Sequence, residues 1–151
     1  IGRSIQITFA GGGSRYKELE YFCNENNLNH VFFKGYISKK KSTELLLESH
    51  FSIIPFLVSA VSDTIPYRFV SSIATSTPII SFNKTNTSDL VRNHNCGFCY
   101  DSSCEQIIKT IELLKAINEE TYKKIIKNTS DLYLNNFSPS STTFIIKKIF
   151  N

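Results

Sequence analysis

Short runs of β-branched and aromatic residues alternate with longer stretches of helical periodicity along this chain, and that alternation constrains the fold more than any single motif. Residues 5–9 read as a first strand. Gly11, Gly12 and Gly13 then turn the chain into a helix over about 15–26, with Leu19, Phe22 and Cys23 on one face. A second strand at 31–34 is closed by Gly35. A helix at 42–49 follows, with Ser42 as its N-cap, Glu44 in its first turn and Leu45 and Leu46 turned inward. The third strand, 51–55, is apolar throughout, as expected of a strand buried on both faces. After a long loop at 57–65, Pro66 suits the first turn of a helix that carries Phe69, Val70 and Ile73 and stops before Pro78. Strands four and five fall at 78–82 and 97–100. Beyond Ser103 the pattern is helical: Ile107, Ile108, Ile111 and Leu114, then 122–134, then 140–150. The expected fold is α/β: a doubly wound, Rossmann-like parallel sheet of five strands with helices on both faces and a helical C-terminus. Such sheets bind ligands at the carboxyl ends of their strands, which directs attention to the loops after Phe9, Lys34, Ile54 and Phe82.

At 151 residues, with 41% hydrophobic and 13% aromatic content, the chain has the size and apolar content of one globular domain. It carries no apolar run of eighteen residues and no basic-then-apolar leader, so neither a transmembrane helix nor a signal peptide is expected, and the reading is cytoplasmic. Its start at Ile1, in the approach to a strand, suggests a piece of something longer. The net charge of +4 fits a solvated surface, and is also compatible with phosphate-bearing ligands or an anionic membrane. No nucleic-acid partner is expected. Lys39, Lys40 and Lys41 fall at a helix start, where the dipole disfavours cations; a solvated turn is the preferred reading, with lipid headgroups the alternative. Four cysteines suit a reducing compartment and free thiols. His94, Cys96, Cys99 and Cys104 have some of the spacing of a zinc knuckle, but Cys99 falls inside a strand and no second well-spaced cysteine pair exists, so no metal is expected. Of the histidines His30, His50 and His94, none stands beside a serine or cysteine in a nucleophile turn.

Two loops have phosphate-binding character. The segment Phe9-Ala10-Gly11-Gly12-Gly13-Ser14 joins a strand to a helix, where glycines permit close backbone approach and the helix amides carry partial positive charge. Its spacing is not the dinucleotide fingerprint, and a tight turn without ligand fits the same residues. The segment 59–68 also ends at a helix start, with Ser62, Thr64 and Arg68 as donors for a diphosphate. Asp63 is either an N-terminal helix carboxylate or an acceptor for sugar hydroxyls, and Arg68 either reaches the ligand or pairs with Asp63.

The order of these segments resembles the C-terminal, donor-binding domain of retaining GT-B glycosyltransferases, the glycosyl transferases group 1 or family 4 type with its Glu, seven residues, Glu motif. The family's strand ending in Gly-x-Gly is similar to 9–13, and its strand ending in Phe-x-Gly to Phe33-Lys34-Gly35-Tyr36. Residues 66–80 resemble its Pro-x-Lys-x-x-Glu-x-x-Ala-x-Gly-x-Pro-x-Ile. There are departures. Ser71 stands where the second glutamate would hold the donor ribose, Asp63 where the first would contact the sugar, Arg68 for the lysine and Ser76 for the glycine. Ser71 cannot accept two hydroxyls as a carboxylate does. The family's preceding strand and helix, with an Arg and Lys pair for the diphosphate, are missing. In the complete domain that strand is central in the order 3-2-1-4-5-6; without it the order 2-1-3-4-5 is expected and the fragment alone should be inactive.

The resemblance implies transfer of a sugar from a nucleoside diphosphate donor, with retention, to a glycan or lipid-linked acceptor held by an N-terminal domain, in cell-surface polysaccharide synthesis at the inner face of the membrane. Asp63 and Arg68 would be the catalytic pair. Gly11, Gly12, Gly13, Ser14, Ser62, Thr64, Ile65, Pro66 and Ser71 would surround the donor, and Gly35, Tyr36 and Ile37 its base, without metal or other cofactor. A nucleotide-sugar 2-epimerase and a catalytically silent binding module are the rivals. A redox or phospho-receiver domain is disfavoured, because no acidic cluster follows the first strand.

Overall fold

The computed structural model describes residues 5–55, 64–82, 85–100 and 103–143. It divides into two compact units, Ile1–Glu44 and Leu45–Asn151, each described by itself.

The first unit is a βαβ element: β1 (Ile7–Phe9), α1 (Tyr16–Glu25) and β2 (Val31–Phe33), followed by α2 (Lys39–Glu48), which runs on into the second unit. β1 and β2 pair in parallel, Ile7 against Val31 through Phe9 against Phe33. Phe9 stacks on Phe33 at 5.2 Å, and Tyr16 meets Phe33 edge-on at 5.4 Å. None of the described residues of this unit is buried. Leu19 and Phe22, expected on one face of the helix, are 39% and 57% exposed. Two three-residue strands and one ten-residue helix hold too few apolar side chains to close over one another. α2 begins three residues earlier than expected. Ser38, not Ser42, supplies the capping hydroxyl, accepting from the Lys41 amide at 3.3 Å, so the three lysines form the first turn and Ser42 lies inside the helix.

The second unit carries β3 (Ser52–Ile54), α3 (Tyr67–Ala74), β4 (Ile79–Phe82), α4 (Asn86–His94), β5 (Gly97–Tyr100), α5 (Cys104–Ala116) and α6 (Glu119–Leu132). α6 runs into a π-helical turn, Tyr133–Phe137, and residues 139–143 are again helical. The remainder of the expected last helix, 144–150, lies outside the described residues. Strands β3, β4 and β5 form a parallel sheet in that order, with Ile54 opposite Ser81 and Ser81 opposite Cys99. Among the described residues the five expected strands are present as two sheets, with the pairs β1–β2, β3–β4 and β4–β5 of the order 2-1-3-4-5 formed and no β1–β3 pairing. One face of the second sheet, with Ile54 and Ile79, buries Phe69 and Ile73 of α3, Val91 of α4, Cys96 and Leu132. On the other face Ile53 is 47% exposed, so β3 is not the doubly buried strand its composition suggested.

Helix α4 has no counterpart in the sequence reading. Thr85 caps it, its hydroxyl accepting from the Ser88 amide, and Asn95 ends it in the left-handed conformation. Buried Ser81 and Ser88 hydroxyls meet at 2.9 Å. The Thr87 hydroxyl is fully buried with no hydrogen-bond partner. Gly97 lets β5 approach β4: a Cβ there would stand 2.7 Å from the Ile79 amide nitrogen and carbonyl carbon, at a φ of +157°. Cys96 is buried and desolvation pushes its thiol up to about 12, while half-buried Cys99 donates to the Ser88 carbonyl at 3.2 Å. No group of three or more residues that could hold a metal ion occurs among the described residues, and the Cys104 side chain lies outside them. No described helix is long and apolar enough to cross a membrane.

Replacing Thr87 by valine removes a buried hydroxyl that gains nothing, and is expected to raise stability by about 1 kcal/mol in urea denaturation. Gly97→Ala should lower it by about 3 kcal/mol or more, because the new methyl meets main chain that cannot yield. A destabilised Thr87→Val, or a neutral Gly97→Ala, would contradict this packing.

Candidate functional site

In the first unit the carboxyl ends of β1 and β2 are tied together. The Gly11 amide donates to the Gly35 carbonyl at 2.7 Å, and the Lys34 amide to the Phe9 carbonyl at 2.9 Å. Gly11 and Gly35 have φ of +118° and +59°, so both loops turn through conformations that favour glycine. This clasp places the loop of Gly11, Gly12, Gly13 and Ser14 beside that of Gly35, Tyr36 and half-buried Ile37. The start of α1 has no side-chain cap, and apart from Tyr16, which donates to the Gly13 carbonyl at 3.1 Å, its first amides are those an anion would use. Arg15 folds onto Glu18 through two contacts of 2.7 and 2.9 Å at full exposure. Each holds the other in its charged form, raising the guanidinium pKa and lowering that of the carboxyl.

In the second unit α3 presents the other expected site. Pro66 stands just before the helix in an extended conformation, φ −71° and ψ 147°, as its N-cap rather than in its first turn, and its carbonyl accepts from the Phe69 amide at 2.9 Å. Thr64 and Ile65 are exposed ahead of it. Arg68 is exposed in the first turn, and Ser71, half-buried, lies one turn further along the same side. Phe69 and Ile73, both fully buried, set this rotation by pinning the opposite side of the helix to the sheet. Ser76, where the resembling family has glycine, adopts φ +57°, so the left-handed step survives the substitution. Ser62 and Asp63 lie outside the described residues. The two helix starts belong to different units, and each unit holds together the described members of its own loop set.

The hydroxyls of Ser81, Thr85 and Ser88 at the start of α4 escaped sequence reasoning, but they are buried and bonded to one another and serve packing. A depression of about 260 Å³ lies at the amino end of β5, lined by amides of Asn93, Asn128, Asn135 and Asn136 with His94 and Asp131. It is at the opposite rim of the sheet from the start of α3. It lies between the ends of α4 and α6, where the dipoles disfavour phosphate.

The family model for glycosyl transferases group 1 matches residues 2–131. No curated protein sequence matches the chain. Among solved structures it is similar to sucrose-phosphate synthase from Thermosynechococcus elongatus, with TM-score 0.74 and 15% identity over 96% of this chain and 37% of that one. It is equally similar to Anabaena HepE in complex with UDP, with TM-score 0.74 and 15% identity over 96% of this chain and 40% of that one. The C-terminal domain of LpcC, a glycosyl transferase group 1 family protein from Francisella tularensis, gives TM-score 0.63 and 16% identity over 82% of this chain and 62% of that one. The chain thus spans 37% to 62% of the length of these structures, and at such identities the likeness is one of fold, the GT-B Rossmann-like domain. With the family model covering all but the last twenty residues and the first, the chain belongs to the glycosyl transferases group 1 family.

Proposed function

We propose that this chain is the donor-binding domain of a retaining glycosyltransferase, taking a nucleoside diphosphate sugar, with the acceptor held by an N-terminal domain of a longer protein. The observation that carries the reading is the open start of α1 behind a triple glycine, clasped to the Gly35 loop. Backbone amides there are groups that stabilise negative charge growing on a departing diphosphate, and the second unit offers groups of the same kind in Arg68 and the amides at the start of α3. Such a site needs no metal, because fixed dipoles and Arg68 supply the positive potential. That a fold relative was solved with UDP supports a nucleotide in this family's donor site. Gly35, Tyr36 and Ile37 would face the base, and Asp63, with Ser62 and Thr64, the sugar. The lysines in the first turn of α2 would suit an acceptor that is lipid-linked at the inner face of a membrane, in polysaccharide synthesis.

A second reading, a silent nucleotide-binding module, is favoured by one feature: Ser71 offers a single hydroxyl where the family's carboxylate binds two ribose hydroxyls. Calorimetric titration of the full-length protein with a panel of nucleoside diphosphates separates the readings from a fold without ligand. Binding that weakens roughly tenfold in Arg68→Ala supports the donor site, and no binding by the wild-type protein removes it. Sugar transfer by the same protein decides between enzyme and module. Ser71→Glu is expected to tighten binding by roughly tenfold, a gain that should vanish with a 2′,3′-dideoxy nucleotide; a gain independent of the ribose hydroxyls would refute the role given to position 71.

A further inference from the structure

Tyr36 is 87% exposed, more than any other large apolar side chain of the described residues, yet its ring does not stand free in solvent. It lies against Gly12: a Cβ built there would be 2.7 Å from the ring Cζ and 3.0 Å from the hydroxyl. The ring therefore fills the side of Gly12 that the missing side chain leaves open. Gly12 differs in this from its neighbours. Gly11 needs glycine for its positive φ, whereas Gly12 is not among the positive-φ residues, so what its glycine provides is room. A Cβ at Gly11 or Gly13 would meet nothing within 4 Å. The Gly11–Gly35 hydrogen bond, one residue from each partner, holds the two in reach of one another.

We propose that Tyr36 is a displaceable plug on the phosphate seat. In the unliganded protein its ring occupies the open face of Gly12; when a nucleoside diphosphate enters, the ring leaves that face to the diphosphate and stacks on the base. One exposed side chain then links phosphate entry to base recognition, and a phosphate ligand without a base must displace the ring with nothing to hold it elsewhere. This rests on the donor-site reading given above. At 87% exposure most of the ring faces solvent, so the swing is sterically open and the resting position is weakly held.

The test is titration of the full-length protein, wild type, Tyr36→Ala and Tyr36→Phe, with inorganic pyrophosphate and with the best-bound nucleoside diphosphate. Removing the ring should tighten pyrophosphate binding about threefold, since the seat is no longer shared with a closed state. The same change should weaken the nucleoside diphosphate roughly tenfold through lost stacking. Tyr36→Phe keeps the ring and should leave both affinities within about twofold of wild type. Opposite shifts for the two ligands in Tyr36→Ala establish the plug. Shifts in the same direction, or none, overturn it while leaving the donor site standing. A wild-type protein that binds neither ligand overturns both.

Discussion

Two side chains of α3, Phe69 and Ile73, are fully buried against Ile54 and Ile79, and the geometry of the second unit follows from that contact. Truncating either would leave a cavity at a cost of about 3–5 kcal/mol, a large part of what a domain this size has to lose. The contact sets the rotation of α3 about its axis, and so turns Arg68 and Ser71 away from the sheet at the carboxyl end of β3. It also reaches the C-terminus: Phe137 meets the Phe69 ring at 6.0 Å, fixing the π-helical turn, while Thr129 bonds the Cys96 carbonyl at 3.3 Å and ties α6 to the entry of β5.

The first unit is held differently. With no buried residue among those described, it depends on the parallel ladder, the stacked Phe9 and Phe33 rings and the hydrogen bonds between its two carboxyl-end loops. Backbone groups do there what side chains do around Phe69. Three of the six glycines fall in the first of those loops.

The parts of this architecture that depend on local chemistry could be read from the residues. The βα order, the turn at Gly97 and the start of α3 beside Pro66 all rest on glycine, proline or apolar periodicity. α4 was invisible for a physical reason: its inward positions include Thr87 and Ser88 beside Val91, so no apolar stripe marks it, although Thr85 and Asn95 are ordinary caps. Ser42 looked like a cap because Ser38, four residues before it, offers the same hydroxyl, and only the helix itself decides between them. The exposure of Ile53 and Phe22, and the division into two sheets, depend on what covers each surface, which composition does not encode. In the candidate site the glycine loop was legible from its position after a strand, whereas the Tyr36 ring against Gly12 is a contact between loops over twenty residues apart.

The proposed donor site rests on main-chain amides at a helix start binding a diphosphate. Hydrogen–deuterium exchange of the full-length protein, with and without a nucleoside diphosphate sugar, measures those amides directly. The account predicts slowed exchange in peptides covering 10–16, 35–37 and 64–71, and none around His94, Asn128 and Asn136. Protection confined to the latter region, or absent from both helix starts while the ligand is bound, would contradict it.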